Sequence, residues 1–134
     1  MSFEVGASRP LRALHRLPWA TEEERRPHAH DYRIDVVVER DGLDERGVVC
    51  DLDVLGEALD AVVARLSDRD LDEVLEADAR GVTVELLAQW LHGQLAEPVR
   101  RAGGEVLAVR VWEAPDAFGG YRGPVGSDPP SSSA

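Results

Sequence analysis

Residues 28–40 read HAHDYRIDVVVER. His28, His30, Tyr32, Ile34, Val36 and Val38 fall on one face, and Ala29, Asp31, Arg33, Asp35, Val37 and Glu39 on the other. A period of two over this length is the mark of a strand with one buried face. Outward from it, Phe3, Val5 and Ala7 alternate in SFEVGAS, which predicts a first strand over 2–8. The polar, proline-bounded PWATEEERRP at 18–27 reads as a loop. Asp41-Gly42 is a turn signal, and GVVC at 47–50 reads as a short strand beyond it.

The spacing changes after Cys50. Asp51 or Asp53 can cap a helix running to about Leu66, with Leu55, Leu59, Val62, Val63 and Leu66 on one stripe. Residues 67–82 are acidic and irregular, with Gly81 as punctuation. Thr83 is a good cap for a second helix, expected to stop near Glu97 because Pro98 follows. Val84, Leu87, Ala88, Leu91 and Leu95 line its apolar side. Gly103-Gly104 breaks the chain, EVLAVRVWE at 105–113 alternates again, and FGGYRG at 118–123 reads as a last short strand. The order predicts an α+β domain over 1–123: a four-stranded antiparallel sheet with two helices on one face. The Pro/Ser-rich 124–134 is expected to be a disordered tail.

Composition narrows the function classes. At 134 residues and a net charge of −11, the chain is one acidic domain, unsuited to a nucleic-acid backbone as its main partner. Residues 1–33 nevertheless hold six Arg against five acids, while 34–134 hold nine Arg against 21. An anionic small molecule can therefore bind near the first segment, where Arg12, Arg16, Arg25 and Arg26 lie. No apolar run approaches the roughly 20 residues of a membrane span. The single Cys50 and the lack of a secretory pattern at the N-terminus favour a reducing cytoplasm.

The strongest chemical signal is His15 followed by His28-Ala29-His30. A His-x-His pair on a strand sends both imidazoles to one side, and a third His across a loop can complete a three-nitrogen set. Three His ligands with an open fourth position is the arrangement of a catalytic zinc site. Glu113 ends a strand whose alternate residues are apolar, a place where a carboxylate is either solvated or meets an N–H-rich partner.

ALHRLP, a loop and HAHDYRIDVVVE resemble the zinc-binding segment of the 6-pyruvoyl-tetrahydropterin synthase / 6-carboxy-tetrahydropterin synthase family. GVVCDLDVL resembles that family's entry to the first helix, VTVELLAQWL its second helix, and VRVWEAP…YRG its strand and end. The motifs occur in family order across about residues 3–123. The resemblance implies the same α+β fold, in trimeric barrels stacked into hexamers with active sites between subunits. It implies Zn2+ on His15, His28 and His30, a pterin-like small-molecule substrate, and Glu113 holding the pterin's amino-pyrimidine edge. Thr83 and Glu85 match the family's helix entry, where their plainer use is to cap and charge the first turn.

Two departures bear on catalysis. The family's synthases often carry a Cys four residues before the His-x-His pair, and Glu24 stands there. Their Leu-Asp-His motif is matched either by Leu71-Asp72-Glu73, in which Asp72 is kept and Glu73 replaces the His, or by Leu66-Ser67-Asp68, which keeps neither residue. The first is preferred because it leaves a short connection from Asp72 to Thr83. A branch of the family uses Glu near the Cys position and shortens the pterin side chain to a hydroxymethyl group. The candidate proton carriers are thus Glu24, Asp72 and Glu73. The expectation is a zinc-dependent lyase with altered acid/base residues. The alternatives are a different enzyme on this scaffold or a non-catalytic zinc-binding homologue. A homo-oligomer larger than a dimer is expected, because a four-stranded sheet covered on one side leaves two edges and a face bare.

Overall fold

A computed structural model describes residues 1–78 and 80–126. The four strands are β1 (Phe3–His15), β2 (His28–Arg40), β3 (Val106–Ala114) and β4 (Ala117–Pro124). They form one antiparallel sheet in the order β1-β2-β3-β4. Two long helices, α1 (Leu52–Leu66) and α3 (Val84–Arg101), cover one face, with a single extra turn, α2 (Leu71–Val74), between them. The fold class is the expected one.

The alternation of 28–40 dictates the layers. Tyr32, Ile34, Val36 and Val38 are buried with Leu11 and Ala13 of β1 and Leu107, Val109 and Val111 of β3. Leu55, Leu59, Val62 and Leu66 of α1 and Leu87, Ala88, Leu91 and Leu95 of α3 pack on them. On β4 the same face carries Gly119 and Gly123, opposite Val111 and Leu107. A Cβ at Gly119 would stand 2.5 Å from Val84 Cγ2, so glycine lets α3 approach the sheet closely. Among the described residues, the other face of the sheet carries no helix and is charged and aromatic. There Asp35 accepts hydrogen bonds from Ser8, Arg33 and Trp112, and the rings of Trp112 and Phe118 lie 4.5 Å apart.

Four expectations are corrected. β1 runs on to His15 rather than ending near Ser8, passing through Pro10. It is an edge strand, where a residue without an N–H is tolerated. GVVC is not a strand: 47–50 is an irregular connection following a turn closed by the Gly47 N–H on the Asp44 carbonyl, and Val49 and Cys50 are still buried in it. Helix α3 passes through Pro98 to Arg101. Buried Val99 and the Glu97 pairs with Arg100 and Arg101 hold its last turn. Finally, Pro124 belongs to β4 and Val125 is buried, its N–H donating to the Glu105 carbonyl, so order extends past 123. The remainder of the expected tail, 127–134, lies outside the described residues.

Within the irregular segment after α1, residues 68–70 lie along the outer edge of β1. The Asp68 N–H donates to the Arg12 carbonyl and the Leu14 N–H to the Arg69 carbonyl, each at 2.8 Å. Leu14 and Asp70 form a parallel bridge. One end of the β1 edge, the end that carries His15, is thereby covered; among the described residues no strand pairs with the rest of it.

Candidate metal centre

The antiparallel register of β1 and β2 sets His15 directly opposite His28, and Ala13 opposite His30. All three imidazoles project to the helix-covered side. The His15 ring centroid is 4.5 Å from that of His28 and 5.5 Å from that of His30. One potential ligand nitrogen from each residue lies within 4.8 Å of the others. Among the described residues this is the only such cluster of metal-binding side chains.

Each ring is also tied to a backbone carbonyl. His15 Nδ1 lies 3.1 Å from the Val82 oxygen, His28 Nδ1 2.9 Å from the Arg26 oxygen, and His30 Nε2 3.0 Å from the Glu113 oxygen. A carbonyl only accepts, so these nitrogens carry the hydrogen. The lone pairs left for a ligand are His15 Nε2, His28 Nε2 and His30 Nδ1. Orientation by an outer carbonyl is the usual support of a metal-bound imidazole. Burial lowers the pKa of His15, aided by His28 and His30, and keeps the ring neutral, the form that coordinates. A tetrahedral site with bonds of about 2.1 Å separates its nitrogens by roughly 3.4 Å, so small ring rotations suffice to close this set on an ion. The donor set fits a zinc-like cation.

Behind the histidines sits Asp72, on the short helix α2 and only 7% exposed. Its Oδ2 accepts the Arg16 N–H at 3.0 Å. Its Oδ1 is buried without a hydrogen-bond partner, with Arg16 Nε 3.9 Å away. Burial pushes this carboxyl above its ordinary pKa. Tyr32 is 4% exposed, with its ring 5.8 Å from His15 and 4.8 Å from His30. Its pKa is raised by burial and then by the charges of Glu113 and Asp72, which places the phenol within reach of both carboxylates' fields.

The other candidates are placed less tightly. Glu24 is half-buried in the loop between His15 and His28. Its carbonyl accepts the Leu17 N–H at 2.6 Å, holding this part of the loop against the exit from β1. Glu113 is exposed at an irregularity between Trp112 and Ala114, and its carbonyl is the one against His30. Glu73 is exposed on α2. The Thr83 hydroxyl accepts the Leu86 N–H at 3.2 Å, so its acceptor role is to cap α3. Sequence reading missed Tyr32 and the three carbonyls. Tyr32 was legible as the next residue of the His28–His30 face; the carbonyls leave no mark in side-chain identity.

Fold and site together define a small α+β protein with a three-histidine centre at one end of an antiparallel sheet. The 6-pyruvoyl tetrahydropterin synthase family profile matches residues 4–124, and the chain belongs to that family. A Pyrococcus horikoshii protein, provisionally named 6-carboxy-5,6,7,8-tetrahydropterin synthase, is 29% identical across 70% of this chain and 73% of its own. The structure of Caenorhabditis elegans 6-pyruvoyl tetrahydropterin synthase superposes with a TM-score of 0.67 at 19% identity, covering 92% of this chain and 96% of that one. A Plasmodium vivax 6-pyruvoyltetrahydropterin synthase gives 0.69 at 12% identity, covering 92% and 99%. That structure carries an alanine in place of a catalytic glutamate.

Proposed function

We propose that this protein is a zinc-dependent lyase acting on the side chain of a pterin-like small molecule. The observation that carries the proposal is the convergence of His15, His28 and His30, each oriented by a backbone carbonyl. Zinc held by three imidazoles supplies a Lewis acid that lowers the pKa of an oxygen placed in its open position. Proton transfer then falls to this chain's carboxylates. Asp72 is suited to hold a proton beside His15, because it is buried, its pKa is raised and its Oδ1 has no other donor. Glu24 stands where the family's synthases often carry Cys, in the loop joining the two histidine strands. The catalytic glutamate of the Plasmodium vivax relative supports a carboxylate in such a role. Glu73 is exposed and is the weaker candidate of the three.

Glu113 offers two acceptor oxygens for the N–H edge of an amino-pyrimidine ring, close to His30 through its own carbonyl. The Thr83 hydroxyl keeps a free hydrogen after accepting from Leu86 and can donate to the same ligand. The uncovered sheet face, the free part of the β1 edge and the β4 edge support assembly into a homo-oligomer built on trimers. Light scattering at micromolar concentration should give a mass above that of a dimer, and a monomer contradicts this.

The activity test is incubation of zinc-loaded protein with dihydroneopterin triphosphate, read by mass spectrometry. A pterin with a shortened side chain is expected, with little 6-pyruvoyl or 6-carboxy product, since carboxylates replace the family's Cys and His. Robust formation of the ordinary synthase products would show that the altered residues do not redirect the reaction. No consumption at all would favour a different substrate on the same scaffold.

A further inference from the structure

The strap that includes residues 68–78 and 80–82 is fastened to β1 and the loop after it at successive points. Beyond the Arg12 and Leu14 bonds come the Arg16 N–H to Asp72 at 3.0 Å, the His15 ring to the Val82 carbonyl at 3.1 Å and the Trp19 Nε1–H to the Arg80 carbonyl at 3.0 Å. Gly81 lies between the last two carbonyls. Its φ is +77°, a left-handed conformation that favours glycine. A Cβ built on it would collide with the Arg16 carbonyl oxygen and stand 2.9 Å from Pro18 Cδ. The first obstacle is backbone, which a rotamer change cannot clear.

We infer that Gly81 is a positioning residue for the histidine centre. By allowing backbone-to-backbone contact with Arg16, it brings the Val82 carbonyl onto His15 Nδ1 and fixes the tautomer that presents Nε2. A side chain at 81 pushes the strap off residues 16–18, lengthens the Val82–His15 hydrogen bond and releases the ring. This inference rests on the three-histidine reading for its consequence in metal binding, but the tautomer claim holds for metal-free protein.

The test compares the full chain with Gly81→Ala, Gly47→Ala and Trp19→Phe. Gly47 also has a left-handed φ, +78°, but nothing lies within 4 Å of a Cβ there, so Gly47→Ala carries the backbone strain without the collision. Nitrogen NMR of the metal-free histidine rings reads the tautomer, and chelator competition reads zinc affinity. The parent and Gly47→Ala should show His15 protonated on Nδ1 and bind zinc equally. Gly81→Ala should mix the tautomers and weaken zinc ~10–100-fold, the usual effect of losing an outer partner. Trp19→Phe, which removes only the Arg80 tie from an exposed residue, should shift both readouts less and in the same direction. A folded Gly81→Ala protein with parental tautomer and affinity overturns the inference. If Gly81→Ala does not fold, a Trp19→Phe protein with both readouts parental overturns it instead. A parent that binds no zinc, with a His15 tautomer that still depends on Gly81, would remove the metal reading and support the positioning one.

Discussion

The paired strands β1 and β2 and the strap beside β1 meet at His15, and they are built on opposite principles. The strand pair is periodic: alternation gives it a face, register gives it neighbours, and His15, His28 and His30 follow as positions on a lattice. The strap has no period. It contributes a carboxylate, Asp72, a carbonyl, Val82, and a contact that only glycine permits. Asp35 and Asp72 show the difference in electrostatics. Burial pushes the Asp35 carboxyl up, but bonds from Ser8, Trp112 and Arg33 outweigh it and hold the pKa below 3.8. At Asp72 burial wins, and the pKa rises above 3.8. A carboxylate spent on structure is fully satisfied; one left with a free buried oxygen is available for chemistry.

The largest effect should come where the strap behaves like core. Leu71 is fully buried although it sits on a one-turn helix. Leu71→Ala should cost about 2–5 kcal/mol in denaturant unfolding, as for any buried leucine. A loss under 1 kcal/mol would show that the strap is only draped over the fold. Next, the Asp35 contribution is fully present above its ordinary 3.8 and is lost as pH falls through its depressed folded value. Asp35→Asn should therefore lower stability at neutral pH by on the order of 1 kcal/mol and flatten the acid limb of the stability curve. An unchanged limb below pH 4 would remove Asp35 from the acid response.

Asp72 carries the opposite sign. With its folded pKa raised, its favourable contribution is present below 3.8 and is lost as pH rises through the folded value. Asp72→Asn should thus leave stability at neutral pH unchanged or improved while turnover falls, the signature of a residue kept for function. Loss of both together would make Asp72 a structural carboxylate. The smallest effect on stability and metal is expected from Glu24→Gln, which keeps the side chain's shape and removes its basicity. Turnover should fall with zinc content unchanged. A variant indistinguishable from the parent would return Glu24 to the solvated run Glu22-Glu23-Glu24.

How much could be read in the sequence follows the same division. The 28–40 strand, both long helices with the Asp51 and Thr83 caps, and the three histidines were legible because each is a repeating or local pattern. The misreadings came where tertiary position overrode a local signal. The alternation of Phe3, Val5 and Ala7 supports a strand only as far as Ser8, whereas β1 continues through Pro10 as an edge strand, and Pro98 marks the expected end of a helix whose last turn Val99 anchors. The strap was unreadable. Asp70 caps a helix too short to show a period, and the Val82 carbonyl and the Gly81 contact are made by main chain, which every sequence has.

The central claim is that the two strands hold one metal ion between them. It is tested most directly by elemental analysis of the protein purified without chelator, beside the His28→Ala variant. The account predicts close to one zinc per chain in the parent and little in the variant. A parent without metal, or a variant with undiminished metal, would contradict it.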